Sequence, residues 1–583
     1  MSGIGENLKA AGEFGPFQKR LVLFSLPPCL SLAFHQFCQL FMVVDVPHYC
    51  NTDWIRAVGP NLTEEEQLNL TLPRDADGEY EQCSMYSPVD WDLDSIMAYG
   101  LNATEKCSNG WVYPTAQQPS LLTEFDLVCD RKNLNDISQS IYMLGMFLGA
   151  LIFGLLSDRF GRRPVLLISI LLEGLFGLAI ALVPHFYVYL AFRCVVGASV
   201  SGIMMTLLAL ATEWVGVSYR PQAVLLSHCC FAAGQMILAG LSYGIPNWRL
   251  LQIVGSAPIF ILFLFIWVLP ESARWLVTRG KIEEAKKYLK KAASINKRTI
   301  PPELLDQLKC ETQTKSGNIL DLLRKKHLLK VTLIMSCAWL LKMQCRMCKR
   351  FNSPVSAVLW YWSGFMSLEN PGAWFVNNLV YYGLSLNVTN FGLDIYLTQL
   401  AFGAVEIPAR AGCIFMLQWF GRKKSQGGLL LLSGLVCLIL TVIPEGQPVV
   451  ITVLATIGKF TASASFSSAY IYTAELFPTI IRQSGVSLCS MVARVAGIIA
   501  PLILLLEQYH RVIPMAIYGG TTVLGGLLCF LLPETRGVEL ADGTEGGQPT
   551  AVVHENASSS SDKGHVKVKD AGQVNENTKN TYL

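Results

Sequence analysis

Apolar runs of about twenty residues, separated by short polar turns, set the rhythm of this chain. They fall at 21–44, 138–156, 165–183, 187–208, 222–244 and 250–269, and again at 396–418, 426–443, 449–472, 484–506 and 513–532. Coiled as a helix, a run of that length matches the hydrocarbon thickness of a bilayer. An irregular stretch, 331–390, stands where the second set needs its first member. The pattern predicts an all-α membrane protein of twelve spans in two six-helix halves, 21–269 and 330–537. The remainder is polar: an N-terminal piece 1–20, a segment 45–136 inside the first half, a linker 270–329 and a tail 538–583. The first run is too long for the core of a signal peptide and has no small-residue cleavage site after it, so it is expected to be retained.

Segment 45–136 carries Cys50, Cys83, Cys107 and Cys129, and three sequons at Asn61, Asn69 and Asn102. An even cysteine count beside sequons marks an extracellular glycosylated domain with two disulfides. Four cysteines allow three pairings. If this domain is outside, the N-terminus is cytosolic. An even number of spans then returns the C-terminus to the cytosol. The linker agrees: Lys281, Lys286, Lys287, Lys290, Lys291, Lys297 and Arg298 place positive charge inside. The sequon at Asn387 falls too near the membrane for use, and the one at Asn556 lies on the cytosolic side. The tail is Ser-, Gly-, Lys- and Asn-rich, a composition that favours disorder.

The turns repeat. Ser157-Asp158-Arg159-Phe160-Gly161-Arg162-Arg163-Pro164 is echoed by Phe420-Gly421-Arg422-Lys423-Lys424-Ser425. Glu213 and Arg220 are echoed by Glu475 and Arg482, and Pro270-Glu271 with Arg274 by Pro533-Glu534 with Arg536. The three pairs keep one offset of about 260 positions, the mark of a duplicated membrane unit. These motifs resemble the major facilitator superfamily. Pro270-Glu271-Ser272-Ala273-Arg274-Trp275-Leu276, with the large segment after the first span, resembles its solute carrier 22 family of organic ion transporters. Asn247-Trp248-Arg249, Tyr381-Tyr382-Gly383-Leu384 and the stretch from Gly485 are similar to the organic anion branch, which includes exchangers of urate and nicotinate. The resemblance runs from about residue 10 to 537. It implies pairing of the first cysteine with the last and the second with the third.

Composition excludes other classes. Of 583 residues 52% are apolar and 15% charged, too greasy for a soluble multidomain protein. There is no metal-spaced Cys/His set, phosphate loop or nucleophile motif, so neither an enzyme, a cofactor, a metal nor a nucleic-acid partner is expected. The chemistry lies in charges within the spans, each of which costs roughly 3 kcal/mol on insertion scales. Lys459, Arg494 and Arg410 all fall in the second half and within about 6 Å of one depth. A positive cavity wall suits an anion. Glu406 sits on the face of Arg410, four residues before it, and can neutralise it. Lys459, after Gly458, can instead serve a neighbouring carbonyl. Arg494 has no nearby acid and has small neighbours, Ala493, Ala496 and Gly497, so it is the expected main ion pair for substrate. Glu173, alone in the third run, is expected to have a structural partner. Glu507, near the outer end of its run, is expected to be solvated. By resemblance, the anion branch has basic residues where Arg410 and Arg494 stand, and the cation branch has an acid at the latter. Its pocket carries over onto Phe231, Tyr381, Tyr382, Phe466, Tyr470 and Gln36.

Asp158, Arg162, Glu213, Arg220, Glu271, Arg274, Arg422, Glu475, Arg482 and Glu534 read as a latch on the cytosolic side, or as topology signals alone. The ending Asn580-Thr581-Tyr582-Leu583 fits a PDZ ligand through Thr581 and Leu583. Residues 340–374 depart from the family pattern. They carry Lys342, Arg346, Lys349 and Arg350, and Ala338-Trp339 before them is repeated as Ala373-Trp374. They read as an insert that breaks the seventh helix. The residues themselves point to an anion; the resemblance implies exchange of small organic anions such as urate, nicotinate and other monocarboxylates for a counter-anion at an epithelial plasma membrane, on the apical side. Two alternatives stay open, a carrier of organic cations or zwitterions and a transport-impaired membrane interaction protein.

Overall fold

A computed structural model describes residues 3–308 and 369–535, apart from breaks at 44–45, 76–77, 115–118, 217–218, 267–268, 307, 445, 477–481, 531 and 533. Among the described residues, ten helices are long and apolar enough to cross a membrane. In the first half they are Pro16–Met42, Asn133–Phe160, Arg162–Ile180, Phe186–Trp214 and Arg220–Gly244. In the second they are Ile395–Phe420, Arg422–Leu440, Pro448–Leu476, Arg482–Leu504 and Val512–Cys529. We call them spans one to five and eight to twelve.

The sixth run is not one helix. Trp248–Ser256 and Pro258–Ile266 are separate, because Pro258 has no N–H for the ladder and its ring crowds the preceding turn. In the seventh place Glu369–Leu386 forms a helix. It takes in Glu369-Asn370-Pro371-Gly372, which the sequence pattern assigned to the insert. Residues 340–368 and the tail with Thr581 and Leu583 lie outside the described residues.

Close approach of backbones sets the packing of the first half. Gly145 and Gly149 of span two face the carbonyls of Cys194 and Ala198 of span four, leaving no room for a side chain. Each half has a large apolar core.

The repeated turn is a repeated device. Gly161 and Gly421 have φ of +105° and +85°, which favours glycine. In the first half the Glu271 carboxylate accepts from the backbone N–H of Arg162 and Arg163 at 2.9 and 3.2 Å. In the second, Glu534 accepts from Arg422 and Lys423 at 2.8 and 3.2 Å. A carboxylate thus caps the N-terminus of spans three and nine, satisfying orphan amides and opposing the helix dipole. A Cβ at Gly161 would lie 2.5 Å from Glu271, and one at Gly421 2.8 Å from Glu534. Glycine and acid are therefore matched at an offset the chain keeps.

The segment after span one has two small antiparallel pairs, Tyr49–Cys50 with Trp111–Val112 and Ser84–Tyr86 with Thr104–Lys106. Its disulfides join Cys50 to Cys107 and Cys83 to Cys129. This corrects the pairing implied by resemblance. Strand register alone does not choose this pairing: Ser84 pairs with Lys106, which brings Cys83 and Cys107 to the same end of one strand pair, yet each is bonded to a cysteine from another segment. Asn61, Asn69 and Asn102 are exposed. Asn387 is 8% exposed and accepts from Asn390. Asn247 caps the sixth helix through Oδ1. Trp248 donates to Glu124 at 2.7 Å, and Arg249 pairs with the same carboxylate. The Asn-Trp-Arg motif therefore anchors the polar domain to the membrane half.

Candidate substrate cavity

A cavity lies between the halves. Spans one, two, four and five contribute, among others, Gln36, Met146, Met204, His228 and Phe231. The second half contributes Asn378, Tyr381 and Tyr382 from Glu369–Leu386, Arg410 from span eight and Phe466 from span ten. Aromatic rings crowd its wall. Tyr381 and Tyr382 stand edge to face at 5.3 Å, and His228 and Phe466 at 6.2 Å. The Arg410 guanidinium lies 5.8 Å from the centre of the Phe466 ring.

Behind that wall is a buried charge cluster. Glu406 Oε2 accepts from Arg410 Nη2 at 2.9 Å, one helical turn away. Glu406 Oε1 lies 2.9 Å from Lys459 Nζ and accepts from the Tyr381 hydroxyl at 2.6 Å. Lys459 also donates to Ser385 at 2.6 Å and sits 3.4 Å from the Tyr381 ring centre. Arg410 bonds Ser467 at 3.4 Å, and its Nε is buried without a partner. The expected Glu406–Arg410 neutralisation is present, shared with a second cation. Lys459 is absent from the cavity wall: it is fully buried behind Tyr381.

Arg494 is also absent from that wall. Its Nη1 donates to the Met146 carbonyl at 3.0 Å and to Ser201 Oγ at 2.8 Å, both in the other half. It bridges the halves beside the cavity. Tyr470 packs on Trp374 at 5.6 Å, and Trp374, from the repeated Ala-Trp, is buried and donates to Thr473. Of the residues expected to bind substrate, Gln36, Phe231, Tyr381, Tyr382, Arg410 and Phe466 line this cavity, and Arg494, Lys459 and Tyr470 lie outside its lining.

The first half holds a polar core that this reading missed. Arg193 of span four, 1% exposed, donates to Gln39 Oε1 at 2.8 Å, Gln139 Oε1 at 2.9 Å and the His35 carbonyl. An ionisable residue within an apolar run was a sufficient signal for it. Glu173 accepts from Ser31 at 3.0 Å and faces His35 Nε2 at 3.6 Å, away from the cavity. His228 on the wall carried no sequence signal beyond its place in a run. Glu507 is half-buried and accepts from Asn390 at 2.6 Å, a correction to the expected solvated acid. Asn390 follows the seventh helix closely enough to reach it.

At the end with the charged turns, Arg162 pairs with Asp158 at 2.8 Å and with Glu213 at 3.1 Å. Arg220 donates to the Thr212 carbonyl at 2.8 Å. These pairs, like those of Glu271 and Glu534, join residues of one half. The side chains of Glu475 and Arg482 lie outside the described residues.

Residues 102–347 match the family model described as "Sugar (and other) transporter". Solute carrier family 22 member 13 of Homo sapiens is 47% identical over 537 residues, covering 92% of this chain and 91% of that protein. The chain belongs to solute carrier family 22. Member 14 of Homo sapiens is 38% identical over 92% of the chain and 86% of its own length. Member 6-A of Xenopus laevis is 37% identical over 93% of each. The xylose transporter XylE from E. coli, in a partially occluded inward open conformation, aligns with a TM-score of 0.56 at 14% identity, over 90% of this chain and 100% of its own. A second XylE structure, with 6-bromo-6-deoxy-D-glucose, gives 0.54 at 16% identity, over 91% and 98%. This family 22 chain therefore has the major facilitator fold and is a multi-pass membrane transporter, not an enzyme.

Proposed function

We propose that this carrier exchanges small organic anions, of the urate, nicotinate and monocarboxylate kind, by alternating access at the plasma membrane. The observation that carries the reading is Arg410 on the wall of an aromatic cavity, with a buried Nε that has no protein partner. A flat aromatic acid can stack on Tyr382 or Phe466 while its carboxylate takes the guanidinium, and the apolar wall keeps water from the ion pair. Arg494, one hydrogen bond from the cavity residue Met146, adds positive potential. The exposed Asn61, Asn69 and Asn102 fit a glycosylated outer face, and the cysteine bridges fit the same compartment. The latch residues would then be cytosolic, holding that side shut by re-pairing across the halves when the cavity faces out. Thr581 and Leu583 would hold a PDZ protein that retains the carrier apically.

Uptake of radiolabelled nicotinate and urate into expressing cells tests the reading. Preloading with unlabelled anion should accelerate uptake, and Arg410→Ala should remove it at equal surface amount. Uptake of organic cations instead would favour the cation carrier. No uptake of either by a surface-resident chain would favour an interaction protein.

A further inference from the structure

The cluster at Glu406 has a charge count. Two cations, Arg410 and Lys459, share one carboxylate, and no side chain of the three is more than 3% exposed. Glu406 has both oxygens engaged and Lys459 is held by Glu406, Ser385 and the Tyr381 ring. Arg410 alone of the three reaches the cavity. With His228 counted as a neutral imidazole, the cluster presents one surplus positive charge, through Arg410. We infer that Glu406 is a specificity-determining residue that sets the carrier for organic monoanions against dianions, by cancelling the charge of Lys459 behind the wall. The inference rests on the proposed anion site and adds to it the charge of the anion.

The physical reason is burial. In a medium of low effective dielectric an uncompensated charge is felt across several ångströms, so a second carboxylate held at this cluster needs a second surplus cation there, apart from Arg494, which is anchored to Met146 and Ser201 of the other half. Glu406 withholds it. Replacing Glu406 by glutamine keeps the shape and an acceptor for Lys459 but releases one positive charge. Replacing Lys459 by methionine keeps the bulk and leaves Glu406 to cancel Arg410. The double variant restores the original surplus of one.

The experiment measures how well unlabelled nicotinate and glutarate compete with radiolabelled nicotinate for uptake, at matched surface amount. Glu406→Gln should strengthen glutarate relative to nicotinate by about tenfold or more. Lys459→Met should weaken nicotinate by about tenfold although Lys459 does not reach the cavity. Glu406→Gln with Lys459→Met should return the glutarate-to-nicotinate ratio to within about threefold of the wild type. An unchanged ratio in Glu406→Gln, or a nicotinate affinity untouched in Lys459→Met, overturns the inference. Should Glu406→Gln fail to reach the surface, the Lys459→Met and double variants decide it alone. Absence of anion uptake by the wild type is a separate result, against the anion site itself.

Discussion

Arg410 and Arg494 have equal standing by depth and charge, and the structure separates them by what they touch. Arg410 lines the cavity with its Nε–H unspent; Arg494 gives its Nη1 to Ser201 and the Met146 carbonyl across the divide between the halves. Two outcomes follow. Arg410→Lys should lower nicotinate affinity about tenfold, roughly 1.4 kcal/mol, because an ammonium cannot serve Glu406 and a carboxylate in the fork geometry; competition curves would read this. Ser201→Ala and Arg494→Ala should not add, because both remove one interaction. A hydrogen bond to a charged group is worth about 1.5–3 kcal/mol, so a double variant behaving as the sum of the singles would show that Arg494 acts elsewhere, including on substrate. The buried cations of the second half were legible in the sequence because depth and sign are local properties. Which cations face the cavity was not. Lys459 meets Glu406 from another helix, and Glu173 meets His35 likewise. Such pairings depend on how each helix is rotated about its axis, which an almost uniformly apolar run does not encode.

Helices followed from run length with little ambiguity, and the exceptions have covalent causes. Pro258 divides the sixth run. In span one Pro27 and Pro28 remain inside a continuous helix, where neighbouring spans can support the lost hydrogen bond. The duplicated turn was legible for the same reason that it is duplicated: a glycine at positive φ needs a carboxylate packed against it, and both residues are visible in the chain. Disulfide partners are a different matter, since cysteine count and spacing leave every pairing open and only the tertiary packing of the segment chooses. Mass mapping of non-reduced peptides should recover Cys50 linked to Cys107 and Cys83 linked to Cys129. A peptide linking Cys50 to Cys129 would refute this pairing. On the loop-closure model a bridge spanning 57 positions contributes about 4 kcal/mol. Cys50→Ala and Cys107→Ala should therefore cut surface amount equally, and together no further.

At the scale of the whole molecule, the described residues show contacts between the halves at one end. At the end bearing the disulfide domain, Phe41 of span one stacks on Tyr396 of span eight at 5.5 Å, and Tyr243 of span five meets the same ring at 5.6 Å. Asn133 reaches Gln508 there at 3.4 Å. At the opposite end Arg162 spends itself on Asp158 and Glu213, within its own half. If the halves rock, the Phe41–Tyr396 contact must part once in each cycle. Cysteines at these two positions, joined by a short bifunctional thiol reagent, should then stop nicotinate uptake, and a cleavable reagent should restore it on reduction. Each single cysteine variant, treated alike, should keep most of its transport and so exclude reaction at the native thiols as the cause. A cross-linked protein that still carries nicotinate at the wild-type rate would mean that this end stays closed throughout, and that the anion crosses by a route other than the rocking of two halves.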